Sequence, residues 1–249
     1  MHPILFHIAG HAVEANGVIY FLAILVAWWH TVKAARRNGW DPHDVLPGVI
    51  LTVIAAYLGA RLHGALIHGV GSPDSPRGLL RMHGLSFFGG LATGSLTVLG
   101  YLRWKRLPLG AAADELAPVV PVLYGMFRLG CFLNGDDYGR ATALPWGMRF
   151  PEGSPPTLQH VHPTQLYEML LMVPIFVWLL KRRRAGLPAG ALMLELCLLM
   201  GAERFVVEFW RLGEPVAAGL TSAQWLAVLL TLIGLAGRTY LAFRRPLPA

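Results

Sequence analysis

Charge is what this chain has least of. Asp, Glu, Lys and Arg make up 14% of its 249 residues, against about 25% in ordinary soluble domains. Acids are the scarcer sign, 14 against 21 basic residues, for a net charge of +7. Cysteine is limited to Cys131 and Cys197, too few and too widely separated for a disulfide framework or a zinc site. No internal repeat, low-complexity tract or linker stands out, which excludes a repeat array or a string of domains. Residues 1–15 contain no Lys or Arg. A cleavable signal peptide puts positive charge ahead of its apolar stretch, whereas Lys33, Arg36 and Arg37 follow the first one here.

What the chain has in place of charge is apolar sequence. Hydrophobic residues account for 55%, gathered into runs at roughly 16–32, 46–68, 87–102, 110–133, 163–180, 188–209 and 223–243. Each is near the ~20 residues needed to cross a bilayer core. Basic residues are confined to alternate gaps: Lys33, Arg36 and Arg37; Arg103, Lys105 and Arg106; Lys181 to Arg184; and Arg238, Arg244 and Arg245 at the end. That is 13 of the 21, while the opposite gaps hold five, Arg77, Arg81, Arg140, Arg149 and Arg211. Lys/Arg excess marks cytoplasmic loops, so the pattern predicts an all-α integral membrane protein of seven transmembrane helices, N-terminus outside and C-terminus cytoplasmic. Seven spans occupy most of 1–249, leaving one polytopic membrane domain with a longer outer segment at 134–162. The positive charge is explained by topology and gives no reason to expect nucleic acid. Neither a metal nor a cofactor is expected.

The remaining three basic residues, Arg61, Arg128 and Arg204, lie inside apolar runs, where charge is expensive and functional by default. At 1.5 Å per residue Arg128 lies about 27 Å along the fourth span, towards the outer face. Gln165 and Glu168 fall in the first two turns of the fifth span, Arg204 and Glu208 in the outer part of the sixth. Arg61 and Tyr20 come to similar depth, so five spans aim polar groups at the outer half of the bilayer. Arg204 and Glu208, at i and i+4, form an ion pair on one helix face, and Arg211 can snorkel to the interface. A structural ion pair accounts for those residues; a cationic pocket for an anionic head group accounts also for Arg61, Arg128 and Glu168. Other features read as structural. Gly90 and Gly94 form a close helix-packing face, Pro118 and Pro121 kink the fourth span, and Asp114 and Glu115 complement its dipole. Trp28, Trp29, Trp104, Trp178 and Trp210 anchor span ends at the interface. At 29 residues, 134–162 is long enough to suspect function beyond connection.

Four stretches in order resemble one family. Arg128-Leu129-Gly130-Cys131-Phe132-Leu133-Asn134-Gly135-Asp136-Asp137-Tyr138-Gly139-Arg140 is similar to G-R-x-G-N-F-x-N-x-E-x-x-G. His162-Pro163-Thr164-Gln165-Leu166-Tyr167-Glu168 resembles H-P-[ST]-Q-L-Y-E, and Arg204 to Arg211 resembles R-F-x-x-E-F-x-R. Gly219 to Gln224 looks like G-[LM]-[ST]-x-[GS]-Q. Together they resemble the bacterial prolipoprotein diacylglyceryl transferases. The resemblance implies a multi-pass protein of the bacterial inner membrane. Its reaction would move diacylglycerol from phosphatidylglycerol to the lipobox cysteine thiol of a prolipoprotein at the outer leaflet, releasing glycerol phosphate. On that resemblance Arg128, Arg204 and Glu208 are the catalytic candidates, the arginines forking onto phosphate oxygens and Glu208 orienting Arg204. Asn134, Asp136, Gly139, Arg140, His162, Gln165, Glu168 and Arg211 are the substrate-binding candidates.

The chain departs from the pattern at several positions. Phe88 in Ser86-Phe87-Phe88-Gly89-Gly90 stands where the family has a histidine assigned as general base. Cys131 stands for Asn, Asp136 for Glu, Asn16 for a first-span Tyr, and Met200 for a Tyr four residues before Arg204. Phenylalanine accepts no proton, so a working transferase needs another base, His162, His83 or Asp137 being candidates. A relative that binds anionic lipid or uses a different acceptor is the alternative; a transporter lacks the expected repeat of broken spans. The topology predicts that reporter fusions after Arg37, Arg106 and Arg184 all behave as cytoplasmic. An external signal at any two of them overturns the orientation.

Overall fold

In hydrocarbon a spanning segment must satisfy its own backbone, which leaves helices or closed barrels. The apolar runs of this chain take the first option in a computed structural model that describes residues 4–8, 11–68 and 86–243. Arg77, Arg81, His83, Arg244 and Arg245 lie outside the described residues. Among those described, the α-helices are α1 (Ala15–Asn38), α2 (Val45–His68), α3 (Phe87–Trp104) and α4 (Leu109–Leu116). They continue with α5 (Val119–Asn134), α6 (Thr164–Arg183), α7 (Ala191–Val207) and α8 (Ser222–Phe243). Each apolar run is therefore helical, and only the fourth is divided.

Four helices are long and apolar enough to cross a bilayer: α1, α2, α6 and α8, with α4 and α5 adding a fifth if that pair is one span. The pair bends by 41° at residues 117 and 118. Pro118 caps α5 and Pro121 lies in its first turn, so the expected proline kink takes the form of a break. Helices α3 and α7 have 18 and 17 residues, or about 25–27 Å, slightly short of the ~30 Å hydrocarbon core. Phe21, Leu58, Leu66, Leu96, Leu170 and Leu229 each expose more than half of their surface. Apolar surface on that scale is matched by lipid chains and not by water.

The chain divides into two compact units, Trp28–Ala112 and the remainder. In Trp28–Ala112, α2 packs along α3. A Cβ at Gly89 would collide with the backbone carbonyl of Gly59 and with His63, so the two helices touch backbone to backbone there. Thr93 sits in the opposite notch, its hydroxyl donating to the Ala55 carbonyl at 3.0 Å. The close face expected at Gly90 and Gly94 is present, and Gly59 and Gly89 extend it. Lys105 pairs with Asp44 at 2.6 Å, and Tyr101 donates to the Asp44 carbonyl at 2.7 Å.

In the other unit α5, α6, α7 and α8 pack in sequence order around Ala117, Met172, Ile175, Leu179, Leu192 and Leu196. Asp114 was expected to complement its own helix. Its carboxylate instead accepts from the Gly190 and Met193 amides at 2.8 and 2.9 Å. It thereby caps α7, whose first amides have no intrahelical acceptor. A β-hairpin, β1 (Ile4–Ile8) and β2 (His11–Glu14), precedes α1. The long segment after α5 is not loose: β3 (Met148–Phe150) pairs with β4 (Thr157–Val161). Tyr138, Phe150 and Val161 form a small core against Phe132, with Tyr138 stacked on Phe150 at 5.3 Å. A last hairpin, β5 (Pro215–Ala217) and β6 (Leu220–Thr221), leads into α8.

Gly89→Leu forces side-chain atoms into the α2–α3 contact and is expected to lower stability by about 1–3 kcal/mol. A thermal unfolding midpoint in detergent equal to that of the parent protein would remove that contact from the account.

Candidate active site

Glu168 is completely buried, one turn into α6, and an isolated buried carboxylate cannot stay charged at tolerable cost. Three arginines answer that demand. Arg128 Nε on α5 lies 2.8 Å from Glu168 Oε2, and Arg204 Nη1 on α7 lies 2.7 Å from Oε1. Arg211 Nη1 stands 3.5 Å from Oε2; it is brought back by a 3-10 turn, Glu208–Trp210, that ends α7. Tyr124, one turn before Arg128 on the same face of α5, donates its hydroxyl to Glu168 Oε1 at 3.1 Å.

The guanidiniums extend the network outward. Arg128 Nη1 binds Asp137 Oδ2 at 2.7 Å, and Arg211 Nη2 binds Asp137 Oδ1 at 3.1 Å. Arg204 Nη2 reaches Glu208 Oε2 at 2.7 Å, while the Thr221 hydroxyl donates to Glu208 Oε1 at 2.9 Å. The expected Arg204–Glu208 pair is thus present as one edge of a larger assembly. Three guanidiniums meet Glu168, Glu208 and Asp137, so the pocket expected to be cationic is charge-balanced. Burial pushes the Asp137 carboxyl up, but Arg211 and Arg128 outweigh it and hold the group below the usual carboxylate value. Arg128 is the most enclosed of the three guanidiniums, its side chain 7% exposed against 13% for Arg211 and 19% for Arg204. The last two and Asp137 are the accessible rim.

A polar frame surrounds this network. Asn134 Nδ2 donates to Asp136 Oδ2, and the buried Gln165 Nε2 donates to the Asp136 carbonyl. Burial raises the Asp136 carboxyl, with Asn134 acting against it. Gly139, Arg140 and His162 serve the backbone: Gly139 N donates to His162 O at 2.8 Å, His162 N to Arg140 O at 3.0 Å, and Arg140 N to Trp210 O at 2.8 Å. Arg140 Nε also donates to the Arg211 carbonyl at 2.9 Å. A Cβ at Gly139 would strike Trp210, Thr164 and His162, so this strand-like clasp closes only on glycine. His162 Nδ1 lies 3.1 Å from the Tyr167 hydroxyl, and burial lowers its imidazole.

Of the predicted residues, Arg128, Glu168, Arg204, Glu208 and Arg211 meet directly, Asn134, Asp136 and Gln165 buttress them, and Gly139, Arg140 and His162 hold the covering segment. Tyr20 stacks on Phe127 at 5.6 Å. Arg61 and Phe88 belong to the Trp28–Ala112 unit. Four residues went unread in the sequence. Tyr124 was signalled by its i−4 spacing from Arg128, and Thr221 only by the last motif. Glu203 is a buried acid inside an apolar run whose carboxylate oxygens have no hydrogen-bond partner; its position beside Arg204 should have flagged it. His63 places Nδ1 2.6 Å from Ser86 Oγ, beside the motif that carries Phe88. Cys131, Asp136 and Asp137 bring ligand-type atoms within 4.8 Å of one another, but the guanidiniums of Arg128 and Arg211 already hold Asp137.

Residues from all four motif stretches, Arg128 and Asp137, Glu168, Arg204 with Glu208 and Arg211, and Thr221, therefore meet in one place. Fold and site define a multi-pass helical membrane protein with an arginine–carboxylate network between helices. The sequence model described as prolipoprotein diacylglyceryl transferase matches residues 3–240, and the chain belongs to that family of transferases. It is 34% identical to the phosphatidylglycerol–prolipoprotein diacylglyceryl transferase of Geobacter sulfurreducens, over 94% of this chain and 92% of the relative. It is 32% identical to that of Mannheimia succiniciproducens, over 98% and 93%, and 30% identical to that of Photobacterium profundum, over 91% and 85%.

Replacing Glu168 removes the carboxylate that three guanidiniums share and leaves them only Asp137 and Glu208. Glu168→Gln is expected to destabilise the protein by about 3–5 kcal/mol, the usual effect of breaking a buried ion pair from one side. Chemical denaturation in detergent checks this, and a loss under about 1 kcal/mol, the scale of an exposed pair, would mean that the network is wet.

Proposed function

We propose that this protein transfers the diacylglyceryl group of phosphatidylglycerol to the lipobox cysteine thiol of a prolipoprotein and releases glycerol phosphate. We further propose that it works as one seven-span domain in the bacterial inner membrane, N-terminus outside, with α4 and α5 as one broken span and the network towards the outer leaflet. The observation that carries the function is the meeting of all four motif stretches in one arginine–carboxylate network, together with relatives that bear this activity in their names.

The chemistry fits the parts. The thiol sulfur attacks the glycerol carbon that bears the phosphate, and the C–O electron pair leaves on the glycerol phosphate. A phosphodiester with one negative charge becomes a monoester with more, so charge grows on the leaving oxygens in the transition state. Donors fixed beforehand near that charge lower the barrier without reorganisation. Arg204 and Arg211 are the accessible guanidiniums, and Glu168 and Glu208 fix their direction. Arg128 is an inner strut that holds Glu168 and Asp137 and receives the phosphate only if Asp137 yields. Asn134, Asp136 and Gln165 shape the floor next to it, while the segment clasped at Gly139, Arg140 and His162 keeps Arg211 in register. The open helix faces give a lipid donor sideways access. Release of glycerol phosphate needs a watery exit, which the exposed rim at Asp137 supplies.

Arg204→Lys keeps the charge but removes the fork that spans Glu168 and Glu208. It is expected to reduce transfer about 10–100-fold, the equivalent of one or two charge-assisted hydrogen bonds. The assay uses phosphatidylglycerol vesicles and a lipobox peptide, and follows peptide thioether and glycerol phosphate together. Tight lipid binding with no turnover by the native protein at any pH from 7 to 9 would favour lipid binding without transfer. Glycerol phosphate without peptide thioether would indicate a different acceptor.

A further inference from the structure

Glu203 is the buried acid that the network leaves out. It is 7% exposed, yet neither carboxylate oxygen has a hydrogen-bond partner. Among the described residues no Lys, Arg or His lies within ion-pair distance of it, unlike Glu168 and Glu208. Burying such a group unpaired is destabilising, and each such group in a native protein calls for an explanation. A fold selected for stability alone would put Leu or Met there, as it does at Leu196, Leu199 and Met200 on the same helix. Among the described residues nothing pairs with this acid to account for its burial.

Its place in the helix says what it faces. Glu203 follows Leu196, Leu199 and Met200 by seven, four and three residues, so it shares their face of α7. That face packs on the core around Met172 and Ile175 of α6. Glu168 precedes Met172 by four on α6, so both acids stand one turn beyond the same apolar cluster, at the network end. Arg204, next in sequence, already reaches Glu168 at 2.7 Å. The charged and titratable groups around Glu203 are Glu168 on α6, Tyr124 and Arg128 on α5, Arg204 on its own helix and Arg211 after the 3-10 turn. From α8, residues 222–237 contribute no titratable side chain.

We propose that Glu203 is the catalytic base that takes the proton from the acceptor thiol, an assignment that rests on the transferase function proposed above. The thiol proton moves to a Glu203 carboxylate oxygen as sulfur bonds to the glycerol carbon. The C–O bond to phosphate breaks, and its electron pair leaves with glycerol phosphate towards Arg204 and Arg211. The proton then passes from Glu203 to the released phosphate or to water, and the carboxylate is restored. Neighbouring residues 203 and 204 would thus handle the two opposite charges of one displacement. In its ionised form Glu203 would then supply the proton acceptor that a phenylalanine at position 88 cannot be.

The test compares the native protein with Glu203→Gln, which keeps shape and volume, in phosphatidylglycerol vesicles. Two acceptor peptides are used, one with the lipobox cysteine and one with selenocysteine in its place. A selenol is ionised at neutral pH and needs no base. For Glu203→Gln the cysteine peptide is expected to react about 10²–10⁴-fold more slowly at pH 7, with a rate that climbs about tenfold per pH unit towards the thiol pKa of about 8.5. The selenocysteine peptide is expected to react within a few-fold of the native rate. Equal rates on the cysteine peptide at pH 7 would overturn the assignment, and equal loss on both peptides would make Glu203 structural. If His63→Ala alone gave the selenol-rescued pattern, the base would be His63. A native protein inactive towards both peptides would remove the transferase function and this role with it.

Discussion

One carboxylate organises this protein. Glu168 carries a full charge at a point with no solvent, and the molecule answers with guanidiniums from α5, from α7 and from the turn that ends α7. Each of those arginines then needs a further acceptor, which draws in Asp137 and Glu208, and Glu208 draws in Thr221 at the head of α8. The demand created by a single desolvated charge thus spreads until four helices and two connecting segments are fixed relative to one another. In a bilayer, where apolar contact between helices is hardly better than contact with lipid, polar bonds of this kind decide which helix faces meet.

A balanced network also has a chemical consequence. Paired guanidiniums are held in direction but lack a strong outward field, so an anion gains little until it carries more charge than the carboxylates it competes with. The leaving phosphate of the proposed reaction meets that condition only as the bond breaks, when stabilisation lowers a barrier instead of trapping substrate. The gradation from the enclosed Arg128 to the more open Arg211 and Arg204 matches that division between strut and contact. The covering segment belongs to the same design. Its Tyr138–Phe150 stack and glycine-dependent clasp give it a defined structure, where its 29 residues of sequence suggested function beyond connection but not its form.

Much of this was legible in the sequence. The seven apolar runs coincide with helices because charge-poor stretches of that length have few alternatives in a membrane. The arginines and acids inside those runs marked the site because intramembrane charge is too costly to be incidental. The break at Pro118 followed from a missing amide donor. What the sequence obscured was pairing: Asp114 reads as a cap for its own span and caps α7 instead, and the arginines read as a cationic pocket until their partners are counted. Tyr124 and Glu203 were hidden for opposite reasons, one as an ordinary aromatic in an apolar run, the other as an apparent neighbour to Arg204 in no need of its own account.

The division follows from the range of the forces. Hydrophobicity and the charge pattern act within a segment or against the bilayer, so composition along the chain determined the helices, their approximate ends and the residues that cannot face lipid. Ion pairing acts between segments far apart in the chain. Helix phase and packing set which guanidinium reaches which carboxylate, and no spacing along one helix encodes the distance from Arg128 to Glu168 or from Arg211 to Asp137. Only the tertiary structure could decide that Glu168 is the hub, that its three cations are neutralised, and that Glu203 has no partner among the described residues.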